Sequence, residues 1–105
     1  MHYRNARLLR AAQDQPCVLC GTEGTTVAAH TNSVALGKGM GIKAPDFYTA
    51  WVCRDHHDLI DGRTGRLTKD EKAALWTEAY LKTVAAWFMQ EVVIVSSSNR
   101  LQKKK

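Results

Sequence analysis

Three cysteines and four histidines carry most of the reactive chemistry in this sequence. Cys17-Val18-Leu19-Cys20 is a C-x2-C pair, and Cys53-Arg54-Asp55-His56 is a C-x2-H pair further along the chain. Zinc in a structural site takes four tetrahedral ligands drawn from thiolate sulfur and imidazole nitrogen, and two close-spaced pairs from separate parts of a chain are how small domains deliver them. Cys17, Cys20, Cys53 and His56 are therefore the expected zinc set, and all the cysteines are then used. His57 follows at once. If a helix opens near Arg54, neighbouring side chains on it point roughly 100° apart, so two adjacent imidazoles do not readily share an ion. Spacing assigns His56 to zinc and leaves His57 for different work.

A further histidine, His30, closes the β-prone run Thr25-Thr26-Val27-Ala28-Ala29. A strand that follows a zinc knuckle and precedes a ligand-bearing helix is where a general base would sit; the competing reading is a packed histidine without chemistry. An unperturbed imidazole titrates at about pH 6.5 and so can accept a proton near neutrality.

These residues need elements to hold them. Tyr3 to Gln13 is expected to be a short amphipathic helix with Arg4, Arg7 and Arg10 on one face, ended by Pro16. Leu19 to His30 is expected to form a hairpin, with His30 at the end of its second strand. Asn32 to Pro45, with Gly37, Gly39 and Gly41 interleaved with Lys38 and Lys43, is expected to be a loop without regular structure, long for so small a domain and therefore functional. It is not a P-loop, since no G-K-[ST] follows at the required spacing. Phe47 to Val52 is expected to be extended, and Arg54 to Asp61 a helix that Gly62 terminates. Thr68-Lys69-Asp70-Glu71 has the pattern of a capping box opening the longest helix, which runs to about Gln90 with a core stripe of Trp76, Tyr80, Leu81, Val84 and Trp87 or Phe88. Val92 to Val95 suits a short strand, and residues 96–105 a polar, basic tail.

The 105 residues suit one domain over 1–105 with its core in about 5–90, small enough for a metal staple to matter. The fold class expected is α+β. An odd number of cysteines and the absence of an export signal favour metal over disulfides and a cytoplasmic setting, and no apolar run approaches a membrane span. A net charge of +5 and a pI of about 9.3 suit a polyanionic partner, with Arg4, Arg7, Arg10, Lys38, Lys43, Arg63 and Arg66 as candidate phosphate contacts. Lys103-Lys104-Lys105 supplies part of that charge from the tail.

Taken together, Cys17-x2-Cys20, Ala29-His30 and Cys53-x2-His56-His57 resemble the HNH endonucleases, in which a ββα-metal site is built into a zinc-bound treble clef. The order of helix, C-x2-C, Ala-His, Gly-rich loop, Pro45-Asp46 and His57-Asp58-Leu59-Ile60-Asp61 is closest to the small YbcO-like "putative nucleases" of lambdoid prophages, over roughly residues 5 to 90. The resemblance implies a metal-dependent endonuclease acting on DNA, branched or single-stranded forms included. It implies structural Zn2+ on Cys17, Cys20, Cys53 and His56, His30 as general base, and His57 holding a catalytic Mg2+ or other divalent ion. Two positions depart from the HNH pattern: Ala29 stands where a further metal ligand is common, and Tyr48 lies near the place of the usual asparagine. Asp46 or Asp61 is the expected substitute, as an ion ligand or as the group orienting an imidazole. The other readings are a non-catalytic zinc module that binds nucleic acid and a protein-interaction adaptor that zinc merely folds.

Overall fold

The computed structural model describes residues 3–62 and 64–96. Its first helix, α1 (Ala6–Arg10), is capped by Asn5, whose side chain accepts the Leu8 amide at 3.1 Å, as an N-cap asparagine does. The helix is shorter than the expected Tyr3 to Gln13. Ala12 and Gln13 bond back only three residues, to Leu9 and Arg10, so the last turn tightens out of α geometry.

Two short strands, β1 (Val27–His30) and β2 (Thr49–Val52), pair antiparallel with Val27 opposite Val52 and His30 opposite Thr49. The expected local hairpin over Leu19 to His30 does not form. The knuckle closes on itself, with Cys17 N–H donating to Thr22 O at 2.9 Å and Gly21 N–H to Cys17 O at 2.8 Å. Its backbone joins the sheet where Val18 N–H donates to Trp51 O at 3.0 Å. Strand β1 thus finds its partner across the long loop. That loop, expected to lack regular structure, holds a 3-10 turn at Val34–Leu36 and an isolated bridge between Gly39 and Ile42. The extended segment expected over Phe47 to Val52 shrinks to β2, because Asp46 and Phe47 form a turn.

Helix α2 (Arg54–Ile60) follows β2 directly, and Asp61 caps its C-terminus. Helix α3 (Lys69–Met89) opens with the expected capping box: Thr68 Oγ1 accepts the Glu71 amide at 3.1 Å, and Glu71 Oε1 accepts the Thr68 amide at 2.8 Å. The result is an α+β fold in which a two-stranded sheet lies between a short N-terminal helix and a long C-terminal one.

Every residue of β2 is buried, which requires cover on both faces of the sheet. Side chains alternate along a strand. Ala50 and Val52, with Ala29 of β1, pack against Ile60 of α2 and Trp76 and Ala79 of α3. Trp51 goes the other way, into Leu8 and Ala12 of the α1 segment and Trp87 of α3. Polar groups lock α3 to the sheet as well. Trp76 Nε1–H donates to Ala29 O at 2.9 Å, Tyr80 Oη–H to Phe47 O at 2.9 Å, and the Trp51 amide to Thr83 Oγ1 at 2.9 Å.

Trp76 and Trp87 of the expected stripe are buried, and Tyr80 and Val84 pack beside them. Leu81 and Phe88 are not core, being 63% and 50% exposed; they lie off the line that faces the sheet. Val92 to Val95 form no strand. Glu91 takes a left-handed backbone with φ 57, and Val93 N–H bonds back to Trp87 O at 3.1 Å, which folds Val92 and Val93 onto the Trp51 cluster instead. Residues 97–105 and Arg63 lie outside the described residues. Among the described residues no helix is long and apolar enough to cross a membrane.

Thr83 is fully buried and satisfies an amide that the two-stranded ladder leaves unpaired. Thr83→Val keeps the shape but removes that acceptor, an exchange that costs about 1–3 kcal/mol for an orphaned buried donor. The expected outcome in thermal unfolding is a midpoint lowered by several degrees, at about 4–8 °C per kcal/mol for a chain of this size.

Candidate metal centre and active-site cleft

The knuckle and the start of α2 meet at one point. Cys53 is the N-cap of α2 in an extended conformation, and its side chain makes no capping bond, so the thiol is available to the cluster. One turn of helix later, His56 places Nδ1 at 3.3 Å from Cys53 Sγ and 3.6 Å from Cys17 Sγ, and Cys20 Sγ lies 3.8 Å from Cys53 Sγ. All four ligand atoms fall within 4.8 Å of one another, a spacing that can hold a metal ion. The thiols are unlike one another. Hydrogen bonds from the Thr22 hydroxyl and amide lower the Cys20 pKa to about 6, while burial is the main influence raising that of Cys53. Thr22 had no signature in the sequence beyond its place just after the knuckle.

His57 turns away from this cluster, as the roughly 100° step between helix neighbours requires. Its Nε2 lies 3.1 Å from Asp61 Oδ2, one turn further along α2. Asp61 is held in turn by Asn32, whose Nδ2–H donates to Oδ1 at 3.3 Å. Asn32 was not singled out by sequence reasoning. The available signal was period: it lies two residues past His30, so a continued strand would place it on the same side.

His30 ends β1 half-buried, and its Nε2 lies 2.8 Å from Asp46 Oδ1. Asp46 is itself buried, at 2% exposure, and is bound from three directions. Its Oδ1 also receives Arg4 at 3.3 Å, and its Oδ2 accepts the Asn5 amide at 2.7 Å. Burial works against the charged form, but the bonds from His30 and Asn5 and the positive charge of Arg4 outweigh it, so the carboxyl titrates below its ordinary value. An ionised carboxylate only accepts hydrogen bonds, so Nε2 of His30 carries a hydrogen, and in the neutral imidazole the lone pair is then on Nδ1.

One cleft of about 580 Å³ joins these parts, and its lining includes His30, His57, Asp61, Asn32, Lys38 and Lys43. The histidines expected from the sequence to act together thus face a shared space, with two cations of the long loop on its wall. A second cleft of about 660 Å³ continues past Asn32 and Asp61 and carries Lys69 and Lys72.

The remaining basic candidates are dispersed. Arg7, Arg10 and Arg66 are exposed. Arg4 is committed elsewhere, its guanidinium donating to Ala44 O at 2.7 Å and Lys43 O at 2.9 Å besides Asp46. Ala29 is buried in the core and Tyr48 stacks edge-on between Phe47 and Tyr80, so neither position supplies a polar group to the cleft.

A family model described as "Putative nuclease YbcO" matches residues 6–92, and the chain belongs to that family. The chain is also similar to a solved structure from Escherichia coli str. K-12 substr. MG1655, described as "Structure of a putative bacteriophage protein". The two share 25% sequence identity and a TM-score of 0.61, over 79% of this chain and 98% of that one. No curated protein matches.

Two outcomes follow from this geometry. Purified protein is expected to bind one divalent transition-metal ion per chain at the Cys3His cluster, measured by elemental analysis. Occupancy should be lost in Cys20→Ser and should fall on acidification, because thiolates must be free of protons to ligate. Asp46→Asn is expected to lower stability at neutral pH by about 1.5–3 kcal/mol, the range for hydrogen bonds to a charged group. Because the folded-state pKa of Asp46 lies below the unfolded value, its contribution is present above the ordinary carboxylate range and is lost as pH falls through the folded pKa. Denaturation of both proteins across pH 2 to 7 should show the two curves converging at the acid end.

Proposed function

We propose that this chain is a metal-dependent endonuclease that hydrolyses phosphodiester bonds in DNA, of the phage type that its family and structural likeness suggest. The observation that carries the proposal is the single cleft onto which His30, backed by buried Asp46, and His57, paired with Asp61, both open between Lys38 and Lys43.

In this reading the Cys3His cluster holds structural zinc and belongs to a treble-clef, HNH-type site. Zinc bond lengths of about 2.3 Å to sulfur and about 2.0–2.1 Å to nitrogen give tetrahedral edges of about 3.8 Å between sulfurs and about 3.6 Å from sulfur to nitrogen. The distances of 3.8, 3.6 and 3.3 Å among these atoms fit that ion. Thiolate-rich tetrahedral donors also select zinc over the harder cations.

Chemistry falls to the cleft. His30 is the general base: with Nε2–H fixed on Asp46, Nδ1 is left to take a proton from the attacking water. Asp46 keeps the imidazole in that tautomer and favours the imidazolium that forms, as an orienting carboxylate does. His57 Nε2 and Asp61 Oδ2, 3.1 Å apart, match the roughly 3 Å between neighbouring ligands of an octahedral ion bound at about 2.1 Å, and they would hold Mg2+ or a related divalent ion. Bound there, such an ion supplies charge to the scissile phosphate and the departing 3′-oxygen. Asn32 holds the second Asp61 oxygen and so fixes the carboxylate. Lys38 and Lys43 neutralise flanking phosphates, and Lys69 and Lys72 extend that track into the adjoining cleft. Arg7, Arg10 and Arg66, which are exposed, are further phosphate contacts. Arg4, already bonded to Asp46 and to backbone carbonyls, positions Asp46 instead.

The test is plasmid nicking with Mg2+, Mn2+ or Ni2+. His30→Ala and His57→Ala are each expected to lower the rate by about 10²–10⁴-fold while metal content at the Cys3His cluster is unchanged. Failure to see histidine-dependent cleavage with any of these ions, on duplex, branched or single-stranded DNA, would sink the proposal and leave a zinc-folded binding module.

A further inference from the structure

The loop between the 3-10 turn and Asp46 ends in a feature that neither the metal cluster nor the hydrolytic cleft uses. Gly39 and Ile42 exchange two backbone hydrogen bonds, N–H to O at 3.0 Å and 3.1 Å in the two directions. They close a tight turn whose central residues are Met40 and Gly41. Gly41 has φ +70, the left-handed value that the third position of a type II turn requires. Met40 at the tip is 99% exposed, and Ile42 beside it is 43% exposed. Single exposed apolar residues are ordinary; the placement of this one is not.

Lys38 and Lys43 flank the turn on either side, and both line the cleft of His30 and His57. The Met40 Cα therefore lies within about 7.6 Å of the Lys38 Cα, two steps of a trans backbone. The base of the loop is anchored. Arg4 bonds the carbonyls of Lys43 and Ala44, and Lys38 Nζ–H donates to Gly39 O at 2.9 Å. Gly37, at φ +104, lies so close to Pro45 that a Cβ there would meet the ring at 2.8 Å. An anchored turn thus presents an unbranched apolar side chain between two cations, beside the residues assigned to phosphodiester hydrolysis.

We infer that Met40 is a DNA-intercalating wedge: Lys38 and Lys43 seat on phosphates while the Met40 side chain enters the base stack next to the scissile bond. The inference rests on the nuclease reading and names the form of its substrate, a duplex that can be kinked. Proteins that open DNA in this way insert Phe, Leu, Ile, Met or Pro between base steps, and the wedge gains its apolar contact at the expense of stacking. The cost of unstacking depends on sequence. Pyrimidine–purine steps such as TA and CA/TG kink most easily, so the wedge gives the enzyme a cut-site preference for such steps without any hydrogen bond to a base edge. Cleavage of duplex DNA is accordingly concentrated beside them.

The experiment uses full-length protein carrying His30→Ala, so that binding is read without cleavage, and a short duplex with 2-aminopurine at a central TA step and a dye at each end. Binding is expected to raise 2-aminopurine fluorescence and to shorten the dye-to-dye distance. Adding Met40→Ser should remove both signals and weaken binding roughly tenfold, the order expected for losing one buried methionine side chain, whereas Met40→Leu should retain them. The thermal midpoint should be the same in all three proteins, because the side chain touches little of the fold. In the active protein, Met40→Ser should flatten the preference for pyrimidine–purine steps. Equal unstacking and bending by Met40→Ser would overturn the wedge alone, as would a change in self-association with DNA binding unaltered. Affinity for single-stranded or branched DNA without any for a duplex at low salt would likewise overturn the wedge alone, and no affinity for DNA of any form would overturn the wedge and the nuclease reading together.

Discussion

The fold depends on a convergence of side chains that backbone hydrogen bonding does not supply. A sheet of two four-residue strands is below what stands alone in water, and the knuckle around Cys17 and Cys20 reaches it by a backbone bond, Val18 to Trp51. The convergence of three sulfurs and one imidazole fixes the knuckle against the end of β2 and the start of α2. From that point the rest is oriented: β2 runs straight into α2, the helix turns His56 inward and His57 outward, and α3 closes over the face of the sheet that this convergence has set.

A second polar centre does comparable work on the opposite side. Asp46 gathers the Arg4 guanidinium, the Asn5 amide and the His30 imidazole onto one buried carboxylate. Removing a charge from water is costly unless partners replace the solvent, and here two partners come from the N-terminal segment and one from the end of β1. The N-terminal segment, the long loop and the end of β1 are thereby tied together, with β1 delivering His30 to this centre and α2 delivering His56 to the other. A Cys3His cluster that could hold a metal ion shapes one end of the domain, and a hydrogen-bonded carboxylate shapes the other.

Much of this was legible in the sequence because it rests on local chemistry. The Cys3His set followed from spacing, the α3 start from Thr68 and Glu71, and the separation of His56 from His57 from helical geometry. The misplaced hairpin has a different origin. β1 pairs with β2 across the intervening loop, and nothing in Thr25 to His30 states which distant segment is its partner; that choice is made by burial of Ala29, Ala50 and Val52 against α3. Asn32 and Thr22 escaped notice for a related reason, since a single polar side chain two residues from a marked position has no spacing rule of its own. Arg4 carried the opposite hazard. Its regular spacing with Arg7 and Arg10 looked like one basic face, but it precedes the helix and its guanidinium is drawn to the buried acid.

The position of Asp46 also bears on how such a protein can vary. In many enzymes the groups that do chemistry are a burden on folding, and sequence drift can trade one property for the other. Here the same oxygen that receives the His30 imidazole also receives Arg4 of the opening segment, so a lineage that lets the first helix come loose loses the alignment of that ring as well. Selection on robustness and on the geometry of the cleft then acts through a single atom, and relatives should change the two together or not at all.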